Sequence, residues 1–256
     1  MRRGTALVTG ASSGIGAELA RLLAAYGWDL VLTARSVDTL ERFCGQLAEE
    51  HGIRARPLPA DLSVPADREA LYAALAGTEI DILINNAGFG LRGPYAEIPW
   101  PEEARLIEVN IAALAHLTRL FLPGMLQRKR GRILNMASTA AFVPGPFMAA
   151  YYASKAFVRS FSEAIGEEAA GTGVTVTVLC PGPTETGFAQ AAGVAGSNLF
   201  RGPVMTAAQV AREGYTAMMK GQREAIAGSR NRWLMRGVPF APRRMLAKFT
   251  RRLNSS

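Results

Sequence analysis

The feature that most restricts this chain is a rhythm. Short β-branched and apolar runs at 5–9, 29–34, 53–58, 80–85, 131–137 and 174–180 alternate with segments of helical period at 14–26, 36–51, 65–76, 101–127 and 149–170. A strand pairs in parallel with its successor only after a crossover of about a helix's length, and such crossovers are right-handed, so helices come to lie on both faces of the sheet. The runs are almost continuously apolar, as strands covered on both faces must be. The expectation is an α/β, doubly wound fold, with a parallel sheet of about seven strands. At 256 residues a single domain over 1–256 suffices to bury its core.

Composition narrows the class further. With 49% hydrophobic and 20% charged residues the chain is not disordered. Two cysteines, Cys44 and Cys180, make no disulfide framework, and no Cys or His cluster has the spacing of metal ligands, so no metal is expected. The thiols suit a reducing cytoplasm. Met1, Arg2 and Arg3 precede only Ala6, Leu7 and Val8 before Thr9 and Gly10, which is not a leader pattern, and no apolar run reaches the length of a membrane span.

Behind the first strand stands Thr9-Gly10-Ala11-Ser12-Ser13-Gly14-Ile15-Gly16, and then a helix. In a strand-turn-helix, Gly10 serves the tight turn, Gly14 the close approach of backbone to a phosphate, and Gly16 the packing of helix on sheet. Ser12, Ser13 and Ile15 complete the turn, and the helix N-terminus offers N–H groups to a pyrophosphate. The spacing, Gly-x3-Gly-x-Gly, departs from the common Gly-x-Gly-x2-Gly. Where many NAD sites place a carboxylate at the end of the second strand, this chain has Ala34 and Arg35. A guanidinium accepts a 2'-phosphate that a carboxylate would repel, so NADP is expected, with NADPH preferred over NADH. Asp61 and Leu62 after the third strand, and Asn86, Ala87 and Gly88 after the fourth, point to the same crevice.

These motifs, with Asn110, Ser138, Tyr151-x3-Lys155 and Pro181-Gly182, resemble the short-chain dehydrogenase/reductase family over residues 5 to about 190. The resemblance implies a Rossmann-type fold, a nicotinamide cofactor, a homodimer or homotetramer, and a catalytic tetrad of Asn110, Ser138, Tyr151 and Lys155. Cofactor contacts at Tyr151, Lys155, Pro181, Gly182, Thr184 and Thr186 follow from it as well. The chemistry stands on its own: residues four apart share a helix face, so an ammonium at Lys155 would lower the pKa of the Tyr151 phenol towards neutral pH, where it can serve as acid and base. Ser138 would hydrogen-bond the substrate oxygen. The resemblance also places a substrate pocket at Ser138, Tyr151, Phe142, Phe147, Pro183 and Phe188; that lining is apolar and suits a ketone or alcohol on a lipid-, steroid- or aromatic-like body. The competing reading is a dinucleotide-binding sensor or scaffold without turnover, against which the intact tetrad argues. Methyl transfer from S-adenosylmethionine would want an acid where Arg35 stands.

Beyond residue 186 the rhythm changes. Residues 187–205, rich in Gly and Ala with Phe188, Leu199 and Phe200, read as a loop-rich insertion and a mobile substrate lid. The formal charge of +8 is concentrated further on: residues 220–256 hold ten basic side chains against Glu224, leaving the first 219 residues at −1. Without a reader motif or a basic body, nucleic acid is not an expected partner. In the basic extension 230–256, Leu246, Phe249 and Leu253 follow i, i+3, i+7 and predict an amphipathic helix. It reads as a helix that closes the pocket or builds a dimer contact, in preference to a peripheral anchor on anionic lipid.

Overall fold

The computed structural model describes residues 3–194, 196, 198 and 204–255. The strands are β1 (Thr5–Thr9), β2 (Asp29–Thr33), β3 (Ala55–Pro57), β4 (Ile82–Asn85), β5 (Gly131–Met136), β6 (Val174–Cys180), β7 (Thr184–Glu185), β8 (Met205–Thr206) and β9 (Glu224–Ile226). Seven of them form one sheet in the order β3-β2-β1-β4-β5-β6-β9, every pair parallel, while β7 and β8 pair by themselves. The fold is doubly wound and Rossmann-like, as the alternation predicts. The helices are α1 (Gly14–Ala25), α2 (Val37–His51), α3 (Pro65–Ala73), α4 (Trp100–Ile107), α5 (Leu114–Gln127), α6 (Ala149–Glu168), α7 (Phe188–Ala191), α8 (Ala207–Met219), α9 (Ser229–Gly237) and α10 (Arg243–Asn254).

Successive strand residues serve opposite layers. Ala6, Val8, Leu30, Leu32, Ile82 and Ile84 pack with α1, α2 and α8. Leu7, Val31, Leu83 and Ile133 pack with α3, α5 and the end of α6. Each fully buried Leu or Ile in these layers contributes roughly 1.5–3 kcal/mol. Winding reverses between β1 and β4, neighbours in the sheet, and leaves a crevice at their carboxyl ends, where ligands of such sheets bind.

Three features lie outside what the sequence pattern showed. The seventh strand comes from a further crossover, α8 to β9, in a region where the sequence pattern showed no crossover; β9 has only three residues, all half-buried, too few to carry a period. The start of the expected lid is the helix α7, whereas residues 195, 197 and 199–203 lie outside the described residues. Finally, α4, the π-helical stretch Glu108–Ala113 and α5 make a continuous helix, Trp100–Gln127, that is long and apolar enough to cross a membrane by length and composition. Its apolar stripe of Ala113, Leu117, Phe121 and Met125 packs on the sheet, which is what a core helix of this composition does.

Candidate active site

A cleft of about 680 Å³ opens at the carboxyl ends of the central strands, and residues of every turn named in the sequence line it. Gly10, Ser12, Ser13, Gly14 and Ile15 lie at one end. Gly14 has φ +57°, a conformation that side chains disfavour. Gly16 lies beneath the turn, out of the cleft: a Cβ there would stand 2.3 Å from the Gly10 carbonyl oxygen and 2.4 Å from Asn86 Nδ2. Asn86 earns that proximity by donating from Nδ2 to the carbonyls of Thr9 and Gly10, at 2.9 and 3.1 Å. Thr9 Oγ1 in turn accepts from the N–H groups of Asn86 and Ala87, both at 3.0 Å. The turns after β1 and β4 are thereby fastened into one piece.

The α1 N-terminus faces this end with no acid in its first turn and no cap from the Ser13 side chain. Its N–H groups and partial positive charge are left for an anion. Arg35 is exposed on the cleft lining and has no partner among the described residues. Leu62, Ala87 and Gly88 also line the cleft. Asp61 does so too but is engaged: Arg105 Nη2 donates to its Oδ2 at 2.8 Å, and Ser63 donates to its Oδ1 from both backbone and hydroxyl. Burial opposes ionisation, but these donors hold its carboxyl below the usual range.

At the other end Tyr151 and Lys155 project from one face of α6 into the cleft, and Ser138 meets them from the end of β5. Ser138 and Tyr151 line the same stretch of the cleft, and the Ser138 side chain favours the ionised form of the Tyr151 phenol. Ser138 Oγ accepts from the Ala140 N–H at 3.1 Å and donates to the Pro181 carbonyl at 3.3 Å, so its position is fixed from two sides. Lys155 Nζ donates to the Met136 carbonyl at 2.9 Å and lies 5.7 Å from the centre of the Tyr151 ring. The expected acidic phenol is not what this geometry produces. Burial pushes the Tyr151 phenol up, outweighing the lowering influence of Ser138, and burial brings the Lys155 ammonium down to about 8.

Asn110 is fully buried in the π-helical stretch and does not line the cleft. Its Oδ1 accepts from the Phe89 N–H at 3.1 Å, and its Nδ2 donates to the Phe89 carbonyl at 2.9 Å and to Ser154 Oγ at 3.1 Å. It pins the segment after β4, and π-turns often mark such positions. Pro181, Gly182, Pro183, Thr184 and Thr186 line the cleft, as does Phe188, whose ring centre is 5.3 Å from that of Tyr151. Phe142 and Phe147 do not. Phe142 turns away to pack with Ala137, Val158 and Val178 beneath Arg159. Phe147, at φ +67°, lies under Arg251 instead. Met148 and Tyr152 supply the apolar surface in their place.

A family model described as short chain dehydrogenase matches residues 4–194. This chain belongs to the short chain dehydrogenase family of oxidoreductases. Two curated relatives are each named very-long-chain 3-oxoacyl-CoA reductase. The protein of Anas platyrhynchos is 37% identical over 184 residues, covering 69% of this chain and 58% of the relative. That of Phaeosphaeria nodorum is 40% identical over 181 residues, covering 68% and 53%. The chain thus spans little more than half the length of these relatives. A solved short-chain dehydrogenase from Sphingobium yanoikuyae, in complex with NADPH, is 33% identical with a TM-score of 0.84, covering 93% of this chain and 94% of that one.

The dehydrogenase match ends near residue 194, and beyond it lies a feature the sequence did not disclose. Asn254, fully buried on α10, accepts from the Tyr152 phenol at 3.1 Å and donates to the Pro146 carbonyl at 2.9 Å. Its own carbonyl accepts from Arg92 Nε at 2.7 Å. Thr250 Oγ1 donates to the Pro144 carbonyl at 2.6 Å. These two polar side chains, not an apolar stripe, are what α10 buries; Phe249, expected within that stripe, is exposed. The helix thereby clamps the loop 144–148 that delivers Met148 to the cleft. Arg105 and Phe89, both lining the cleft, were also unforeseen, since neither belongs to a motif.

Proposed function

We propose that the chain is an NADP-dependent oxidoreductase, selective for NADPH over NADH, that interconverts a carbonyl and a secondary alcohol on a hydrophobic substrate, with Tyr151 as general acid and base. The observation that carries this reading is the meeting of Tyr151, Ser138 and Lys155 in a cleft whose far end is an uncapped helix N-terminus beside Arg35, which has no partner among the described residues. The residues fit the cofactor. The turn after β1 brings Gly10, Ser12, Ser13, Gly14 and Ile15 to the cleft at the uncapped α1 N-terminus, whose N–H groups would hold a pyrophosphate; Arg35 would hold a 2'-phosphate, and Lys155 is within the cleft to reach a ribose hydroxyl. When bound, the nicotinamide supplies the hydride.

The chain's own residues manage the proton. Ser138 holds the substrate oxygen, and Tyr151 gives it a proton in reduction or takes one in oxidation. A phenol pushed up by burial keeps its proton at neutral pH, the form that reduction requires, and an alkoxide developing on the substrate is basic enough to take it. Lys155, at about 8, is still mostly an ammonium there and stabilises the phenolate left behind. The apolar wall of Phe188, Met148 and Tyr152 suits a long or bulky ketone, and the relatives' names make 3-oxoacyl thioesters the first candidates.

The test is a titration with NADPH and NADH followed by a panel of ketones. Tighter NADPH binding, with kcat/KM rising as the apolar part of the ketone grows, is expected. Equal affinity for the two nucleotides removes the Arg35 assignment, and a preference for small charged sugars removes the substrate class.

A further inference from the structure

The proposed chemistry leaves one region unused: the arm formed by α9, the 3-10 turn Val238–Phe240 and α10. Five of the twelve large hydrophobic side chains exposed among the described residues lie in this tenth of the chain: Trp233, Leu234, Phe240, Met245 and Phe249. Trp233 is 72% exposed and Phe240 89%. No residue of α9 is buried. On α10, Met245, Phe249 and Arg252 follow i, i+4, i+7 and are all exposed, on the side away from the Thr250 and Asn254 contacts. A concentration of aromatic and aliphatic surface in so short a segment marks a contact with something apolar.

Charge decides what that something is. Residues 225–256 contain no acid. Of the eight basic residues between 229 and 254, Arg232 alone has an acidic partner among the described residues, Glu213 at 3.0 Å. A second copy of this chain meeting the first through the same face would bring two acid-free sets of cations together, which is repulsive. A surface that is apolar inside and anionic at its edge matches the arm on both counts: aromatic rings reach the acyl boundary while arginines and lysines stay at the headgroups.

We propose that this arm is a docking surface for an anionic lipid bilayer. Trp233, Phe240, Met245 and Phe249 enter the interface, and Arg243, Arg244, Lys248 and Arg252 pair with acidic headgroups. The hydrogen bond from Tyr152 to Asn254 fixes the arm beside the apolar end of the cleft, so docking sets that end against the membrane. The proposal does not depend on the reaction assigned above, since it is read out as binding.

The test uses the full chain and cosedimentation with vesicles of phosphatidylcholine alone or with about one third phosphatidylserine. Binding to the anionic vesicles, weakened by salt, with a blue shift in emission that Trp233→Phe abolishes, is the expected result. Replacing Arg243, Arg244 and Lys248 together by Ser should weaken it at least about a hundredfold. Phe240→Ser with Phe249→Ser should weaken it about tenfold or more. Unaltered NADPH affinity verifies that each variant is folded. The proposal is overturned if anionic vesicles do not sediment the chain, if neutral vesicles bind equally, or if the aromatic substitutions leave binding unchanged. It is equally overturned if those substitutions convert a dimer to a monomer in light scattering, because the face then belongs to a second copy.

Discussion

The two ends of the cleft are built by opposite means. At the dinucleotide end the shape comes from side chains that are missing, above all at Gly14 and Gly16, and from backbone groups held by Thr9 and Asn86. At the substrate end it comes from bulky side chains, Tyr151, Tyr152, Met148 and Phe188, braced from behind by a helix remote in sequence. The first end is assembled from the turns after β1, β2, β3 and β4, within the first 88 residues. The second joins Tyr152 to a residue 102 positions away. The lesson is that nucleotide binding and substrate binding should be separable by mutation.

The largest effect sharpens that division at the reacting centre. Tyr151→Phe should lower kcat by about 10²- to 10⁴-fold while the dissociation constant for NADPH stays within about twofold. Undiminished turnover would remove Tyr151 from the chemistry. Next, Asn254→Ala leaves the Tyr152 hydroxyl and the Pro146 carbonyl without partners in a buried place and should cost about 2–3 kcal/mol in urea unfolding. It should also raise KM for a hydrophobic ketone without altering NADPH affinity; if both affinities fall together, the ends are not independent. Arg35→Asp is the reciprocal change, expected to weaken NADPH binding about 10- to 100-fold, to spare NADH, and to leave KM for the ketone in place.

The smallest effect concerns pH. The folded pKa of Lys155, about 8, lies below its ordinary 10.5, so the folded protein binds fewer protons than the unfolded chain between those values. Stability therefore carries the full cost of burying the ammonium below pH 8 and recovers as pH rises past it. Between pH 7.5 and 9 the recovery is about 1 kcal/mol. The buried thiols of Cys44 and Cys180, raised to about 11 and about 12, act in the opposite direction above pH 9. The informative quantity is thus the difference from Lys155→Met, in which the thiols cancel: the gap in urea midpoints between the two proteins should depend on pH in this window, and a constant gap refutes a perturbed Lys155.

The same contrast explains what the sequence could disclose. The dinucleotide end is legible because residues 9–16 are contiguous and each glycine answers a local steric demand. Tyr151 and Lys155 are legible because helical spacing alone puts them on one face. Phe142 and Phe147 were misplaced because position after Ser138 says nothing about which way a ring turns; Arg159 draws one and Arg251 the other. The phenol's direction of shift was misjudged because a nearby ammonium is visible in a sequence and burial is not. The α8 helix carried a readable signal, the reciprocal cap of Thr206 and Gln209, but β9 carried none.

Phe147, at φ +67°, sits in a conformation costing of order 1–2 kcal/mol, held by the Arg251 guanidinium over its ring and by the grip of Thr250 and Asn254 on the carbonyls of Pro144 and Pro146. A loop kept tense from outside is a spring shared by two sites. By thermodynamic reciprocity, a partner whose favoured posture of the C-terminal helix moves this loop changes the affinity of the neighbouring pocket by a factor, and filling the pocket changes the partner's affinity by that same factor.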